Sequence, residues 1–285
     1  MKIHAVDTGD FKLDGGAMFG VVPKSLWSKA IAPDENNMLP MTMRCMLIEE
    51  GDRKILVDTG IGNKQSEKFF SFYFLSGEGS LLGSLEKLGV KPEEITDVFF
   101  THFHFDHAGG AIIHVGEEKQ PAYQFPNAKH WTSKGHWDWA TENPNPRERA
   151  SFLPENILPL KTLGQLYFVE DGHDLPFEIV FCDGHTEKQM LPKLKVGDRT
   201  VVFMADLLPT AAHVPQAWVV GYDTRPLLTM DEKQAFLQEA AEGNYLLFLE
   251  HDLEWEVCTV KMTEKGVRLN ERMSLAEALE GVEMA

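Results

Sequence analysis

The chain has 285 residues, enough to bury a substantial core, and its 43% hydrophobic and 25% charged composition is that of an ordinary folded protein, neither disordered nor fibrous. With 44 acidic against 27 basic residues the formal charge is -17, so the mean surface field repels phosphate backbones and nucleic acid is not an expected partner. No stretch approaches the roughly 18 consecutive apolar residues of a membrane span, and no long apolar run follows Lys2, so neither a spanning helix nor a retained signal peptide is expected.

Residues 2–7 alternate weakly and suggest an opening strand. The glycine-rich run Leu13 to Pro23 reads either as an apolar loop offering Met18 and Phe19 to a substrate, or as a turn with both in the core. Met41 to Ile48 and Lys54 to Val57 flank Gly51-Asp52, the pattern of two strands and a tight turn, and the second strand ends at Asp58-Thr59-Gly60. Phe69 to Leu75 is unusually aromatic and suggests a wall over a site, a homodimer contact or a core element.

Leu81 to Leu88 has helical periodicity with Gly89 as its stop, Pro92 starts a short helical turn, and Asp97 to Phe100 is a short apolar strand. The tryptophan- and proline-rich region 129–159 suggests irregular helices over one edge. Further strands are expected at Gln165 to Val169, Phe177 to Cys182, Val201 to Ala205 and Tyr245 to Leu249, with a helix from Met230 to Ala241 capped by Asp231. Leu275 to Leu279 reads as a C-terminal surface helix, and the whole as one α/β domain spanning 1–285. Cys45, Cys182 and Cys258 are odd in number and far apart, which suggests buried free thiols in a reducing compartment and a cytoplasmic protein.

The chemistry concentrates in THFHFDHAGG, residues 101–110, where His102, His104, Asp106 and His107 follow an apolar strand within six positions. Gathering three imidazoles and a carboxylate in a buried turn is costly unless they are paired or bind a cation. Residues two apart in extended chain point the same way, so His102 and His104 suit one metal, and Asp106 and His107 can reach a second. His185, Asp206 and His251 each follow an apolar run and are candidates to complete the set. His4, His114, His130, His136 and His173 lack this convergence, whereas His213 lies seven residues beyond Asp206.

This pattern, HxHxDH followed by Gly184-His185, Asp206 and His251, resembles the metallo-β-lactamase superfamily over about residues 1–262. The resemblance implies a four-layer αββα sandwich, with His102, His104 and His185 on a first metal, Asp106, His107 and His251 on a second, and Asp206 bridging both. Zinc suits imidazole-rich ligation, while manganese, iron or cobalt suit the carboxylates. A bridging hydroxide then attacks an ester, lactone, amide or phosphoester centre without a protein nucleophile. Asp106 would orient that hydroxide, and Asp58 or Asp183 would steady a ligand imidazole.

The phrases at Leu13 to Pro23, Asp206 to Pro215 and Trp218 to Asp223 look like the branch of quorum-quenching acyl-homoserine lactonases and methyl parathion hydrolase-like enzymes. That resemblance implies opening of an acyl lactone by attack at its carbonyl. The better-known lactonases carry a tyrosine three residues after the bridging aspartate, where this chain has Pro209. His213 and Tyr222 are the candidate substitutes, and organophosphate or aryl-ester hydrolysis is the alternative. Thioester, phosphodiester and nonenzymatic metal-binding readings rank lower, because the chain shows no basic cluster and an open dinuclear centre is a reactive object.

Overall fold

A computed structural model describes residues 1–142 and 144–282. Its strands, in chain order, are β1 (Lys2–Asp14), β2 (Met38–Glu50), β3 (Arg53–Val57), β4 (Asp97–Phe99), β5 (Ile112–Val115), β6 (Gln120–Tyr123), β7 (Lys129–Thr132), β8 (Leu166–Phe168), β9 (Glu178–Cys182), β10 (Gln189–Val196), β11 (Arg199–Phe203), β12 (Leu246–Phe248), β13 (Val257–Thr263) and β14 (Gly266–Met273). They form two six-stranded sheets, ordered β1-β2-β3-β4-β7-β8 and β14-β13-β12-β11-β10-β9, and a β5-β6 hairpin. The described residues fall into two compact units. The first holds Met1–Gly9, Met43–Pro176 and Glu187–Met190; the second holds Asp10–Thr42, Phe177–Thr186 and Leu191 onward.

In the first unit β2 and β3 pair antiparallel from Met46↔Val57 to Glu50↔Arg53, around the expected turn at Gly51, whose φ of 58° favours glycine. β3, β4, β7 and β8 then run parallel, with Val57↔Phe99 and Phe99↔Trp131 in register. Ile55, Leu56 and Val57 are all buried, as expected of a strand covered on both faces. Parallel pairing brings the carboxyl ends of β3 and β4 side by side, so Asp58 lies beside the chain entering Thr101 and His102. The core joins Leu47, Leu56, Val98 and Phe100 to Leu85, Trp137, Ile157 and Leu160 of three helices. Each such fully buried side chain contributes about 1.5–3 kcal/mol.

The helix Leu81–Lys87 begins where Ser80 accepts a hydrogen bond from Gly83 and ends before Gly89, at φ 73°. The region 129–159 differs from expectation. It contributes β7, a parallel strand within the sheet, before the helices Lys134–Thr141 and Pro154–Thr162. Four residues are too few for periodicity to separate strand from helix.

In the second unit β11 and β12 pair parallel, with Phe203 opposite Phe248, so the segments leading to Asp206 and His251 leave the same sheet end. The helix expected at Met230 to Ala241 runs Pro226–Gly243, with Pro226 in its first turn. Asp231 is therefore inside it and is not its cap. Its buried Lys233 donates to the carbonyls of His213, Pro215 and Trp218 at 2.8, 3.2 and 2.7 Å, and burial lowers the ammonium's pKa to about 7. The surface helix is Leu275–Ala278, closed by a reciprocal Ser274 and Glu277 cap. Cys45, Cys182 and Cys258 are buried thiols, not joined in disulfides. Among the described residues no helix is long and apolar enough to cross a membrane.

Two consequences of the first unit's packing are testable. A Cβ on Gly109 would stand 2.0 Å from the Ile61 carbonyl oxygen, so Gly109→Ala is expected to cost about 1–3 kcal/mol. A thermal melt that matches wild type would refute that reading. His130 is fully buried and stacked on Tyr123 at 4.4 Å, and burial depresses its pKa to about 3. Because the folded value lies below the unfolded one, its contribution is intact above about pH 6.5 and declines as pH falls toward 3. Urea titrations at pH 7.5 and 5 should show wild type losing about 2 kcal/mol more than His130→Leu.

Candidate metal centre

Asp58, the residue after β3, is fully buried and adopts a left-handed φ of 58°, which costs a non-glycine residue about 1 kcal/mol or more. Its carboxylate offsets that cost by accepting from Thr101 N at 2.8 Å, Thr101 Oγ1 at 2.6 Å and His107 Nδ1 at 3.1 Å. The Thr101 hydroxyl proton is thus committed to Asp58, and its oxygen, 3.0 Å from His102 Nδ1, accepts from that ring. The outer nitrogens of His102 and His107 carry protons, and the Nε2 atoms are left with lone pairs. His102 Nε2 lies 3.0 Å from His104 Nδ1, and His107 Nε2 lies 3.9 Å from Asp106 Oδ2.

Asp106 and His107 belong to the one-turn helix Phe105–Ala108, which brings consecutive donors to one place. Close backbone approach holds this turn: Thr59 N and Oγ1 donate to the His107 carbonyl at 2.7 and 2.9 Å. Glycine at 109 and 110 permits the contact, since a Cβ at either would collide with the carbonyls of Ile61 or Thr59.

In the second unit Asp206 follows Ala205, whose φ is 40°. One oxygen of Asp206 lies 3.1 Å from His185 Nε2 and the other 3.1 Å from His251 Nε2. The opposite nitrogens are tied down: His185 Nδ1 donates to Asp223 Oδ1 at 2.9 Å, and His251 Nδ1 to the Thr42 carbonyl at 2.9 Å. Burial opposes charge on His185, yet Asp206 and Asp223 outweigh it and push its pKa up to about 10. The local field therefore favours a cation strongly.

The donor chemistry fits divalent metal ions. The inner nitrogens of His102 and His104 face each other at 3.0 Å, and the Asp206 oxygens face two imidazole nitrogens at 3.1 Å, an arrangement that calls for positive charge among them, whether protons or metal ions. His102, His104, His185 and Asp206, together with Asp106, His107 and His251, are donors of the kind that hold such ions.

The other expected site residues fare differently. His213 is buried, with Nδ1 2.8 Å from Thr210 Oγ1, Nε2 2.9 Å from the Met18 carbonyl and its ring stacked on Phe19 at 4.6 Å. Burial pulls its pKa down to about 3, so the ring is neutral near neutrality and donates its one N–H to the Met18 carbonyl. Met18 and Phe19 are in the core, the second of the two readings of their loop. Tyr222 is 39% exposed and precedes Asp223. Phe69 and Tyr73 pack on Phe105 at 5.4 and 4.7 Å, which places the aromatic segment beside the turn that carries Asp106 and His107.

Three buried polar partners of the candidate ligand segments were not among the site residues expected from the sequence. Asp223 orients His185; Glu148 Oε1 lies 2.9 Å from His104 Nε2; and His136 accepts from Phe103 N at 2.8 Å while donating to the Glu187 carbonyl at 2.6 Å. Of these, Asp223 stood in the phrase Trp218 to Asp223, Glu148 in the region 129–159, and His136 had been set aside for lack of convergence.

Comparison with known proteins accords with this chemistry. A family model described as the metallo-beta-lactamase superfamily matches residues 44–251. An N-acyl homoserine lactonase of Bacillus cereus is 34% identical over 275 residues, covering 90% of this chain and 94% of the relative. A probable metal-dependent hydrolase from Staphylococcus aureus has a TM-score of 0.85 at 29% identity, with 96% of each chain covered. The dizinc quorum-quenching lactonase AidC has a TM-score of 0.75 at 21% identity, over 96% of this chain and 95% of its own, a likeness of fold. The chain belongs to the metallo-β-lactamase superfamily, has that family's α/β sandwich fold, and is a metal-dependent hydrolase homologous to N-acyl homoserine lactonases.

Proposed function

We propose that this single-domain hydrolase opens N-acyl homoserine lactones to N-acyl homoserines, using two divalent ions. His102, His104 and His185 serve one ion, Asp106, His107 and His251 the other, and Asp206 both. The observation that carries the dinuclear reading is Asp206 itself, whose two oxygens each face a different imidazole at 3.1 Å. Kinship at 34% identity over 90% of the chain supports the lactone as substrate.

Bound there, the ions, most simply zinc, supply Lewis-acid polarisation of the lactone carbonyl and acidify water. The protein's own groups do the rest. Asp106 accepts a hydrogen bond from the attacking water and orients it. The water oxygen bonds to the carbonyl carbon as its proton passes to Asp106, the ring C–O bond breaks, the departing oxygen takes that proton, and the new carboxylic acid releases its own proton to solvent. Tyr222 supplies a hydroxyl to the substrate, and Phe69, Tyr73 and Phe105 present apolar ring surface to the acyl chain. Burial, followed by the nearby Asp106 charge, pushes the Tyr73 phenol up to about 12, so it stays neutral and adds no charge to that wall.

A pH-stat comparison of a long-chain acyl homoserine lactone, a phosphotriester and a thioester on zinc-loaded protein tests the substrate class. Proton release should be fastest from the lactone and abolished by chelation. In Asp206→Ala it should fall at least about 100-fold, beyond what loss of an outer carboxylate produces. Activity confined to the phosphotriester would replace the lactone with an organophosphate.

Asp223 yields a separate expectation. Asp223→Ala removes the acceptor that orients His185, and should weaken metal binding about 10–100-fold with a parallel fall in kcat/KM at limiting zinc. Unchanged affinity in a chelator competition would show that Asp206 alone orients the ring.

A further inference from the structure

We propose that Glu148 is a positioning residue that selects the nitrogen His104 offers to metal, and thereby sets the affinity of one ion position separately from the other. The inference rests on the dinuclear reading above and deepens it.

His102 and His104 are two residues apart but face each other through different atoms, Nε2 of His102 and Nδ1 of His104, 3.0 Å apart. Neutral imidazole carries one proton, so each ring presents a lone pair at its inner nitrogen only if its outer nitrogen is the protonated one. For His102 the outer nitrogen is Nδ1, tied through Thr101 to Asp58. For His104 it is Nε2, tied to Glu148 Oε1 at 2.9 Å. The carboxylates that set the two rings come from distant parts of the chain.

Glu148 is itself constrained. It is 3% exposed, its backbone N–H donates to the Asn145 carbonyl at 3.1 Å, and its second oxygen accepts from Trp139 Nε1 at 2.7 Å. Trp139 packs against the first unit's core, and Phe152 lies 5.2 Å from the His104 ring on another side. The carboxylate therefore has a fixed direction and is not a mobile surface group.

The reach of the two carboxylates differs, and this makes the inference selective. Asp58 contacts His107 directly and His102 through Thr101, so its loss disturbs ligands assigned to both ions. Glu148 contacts His104, a ligand assigned to one. A merely structural buried carboxylate would weaken both positions together, through global loosening.

The test is a stepwise zinc titration against a competing chelator, with the cobalt(II) visible spectrum as a coordination signature, on wild type, Glu148→Leu, Glu148→Gln and Trp139→Phe. Glu148→Leu is expected to weaken one binding step about 10–100-fold, leave the other within about threefold, and alter the cobalt spectrum. Glu148→Gln retains an acceptor oxygen and should recover most of that loss. Trp139→Phe removes only the hydrogen bond to Oε2 and should weaken the same step by less, which keeps the test decisive if Glu148→Leu fails to fold. Equal weakening of both steps, or none in any variant, overturns the proposal while leaving the dinuclear reading intact. Failure of wild type to bind two ions overturns both.

Discussion

A buried carboxylate that must be satisfied on all sides organises the first unit. Asp58 has no access to water and would be untenable as an unpaired charge. It is tolerated because it accepts three hydrogen bonds, two from Thr101 and one from His107. Those bonds join the end of β3 to the end of β4 and to the following one-turn helix. They also decide which nitrogens of His102 and His107 carry protons. One interaction thus closes the strand ends, holds a left-handed backbone turn and orients two imidazoles that could hold a metal ion. Its negative charge in turn calls for positive charge on the far side of the imidazoles it holds.

The second unit reaches the same result with different partners. Asp223 and the Thr42 carbonyl take the outer protons of His185 and His251, so both inner nitrogens turn toward Asp206. In each unit the ligand segments follow parallel neighbours, β3 with β4 and β11 with β12. Parallel pairing aligns carboxyl ends, and residues immediately after them collect there without any long loop to position them.

That placement explains what could be read from the sequence. Apolar runs ending in polar residues marked β3, β4, β11 and β12, and the donors behind them stood out as Asp58, His102, Asp206 and His251. The clustering of four donors after β4 has few innocent explanations, because a buried turn cannot bear them unpaired. Other elements gave weaker signals. β13 and β14 form a hairpin in which Lys261, Arg268 and Glu271 interrupt the apolar pattern, as an exposed sheet edge permits. β7 hides among tryptophans and prolines. Glu148 reaches His104, and His136 reaches Phe103 and Glu187, through hydrogen bonds to residues more than 30 positions away, and no local pattern encodes such a bond. For His213, proximity to Asp206 in sequence says nothing of the Met18 and Thr210 groups that engage both ring nitrogens.

The division between ligand supports and substrate walls carries a consequence for specificity. The candidate ligands are fixed by carboxylates and carbonyls buried beneath them, whereas the rings of Phe69 and Tyr73 pack on each other and on Phe105. Phe72, Phe74 and Leu75 in that same segment are 60%, 46% and 41% exposed, so few core contacts restrain substitution there. Changes in the aromatic segment can therefore reshape the surface offered to a substrate without touching the hydrogen bonds that set the imidazoles. The candidate metal donors are largely buried, mutually dependent groups, and the aromatic segment is a more exposed, independent one. That physical asymmetry is why a short motif discloses the reaction class of such a protein so much more readily than the molecule on which it acts.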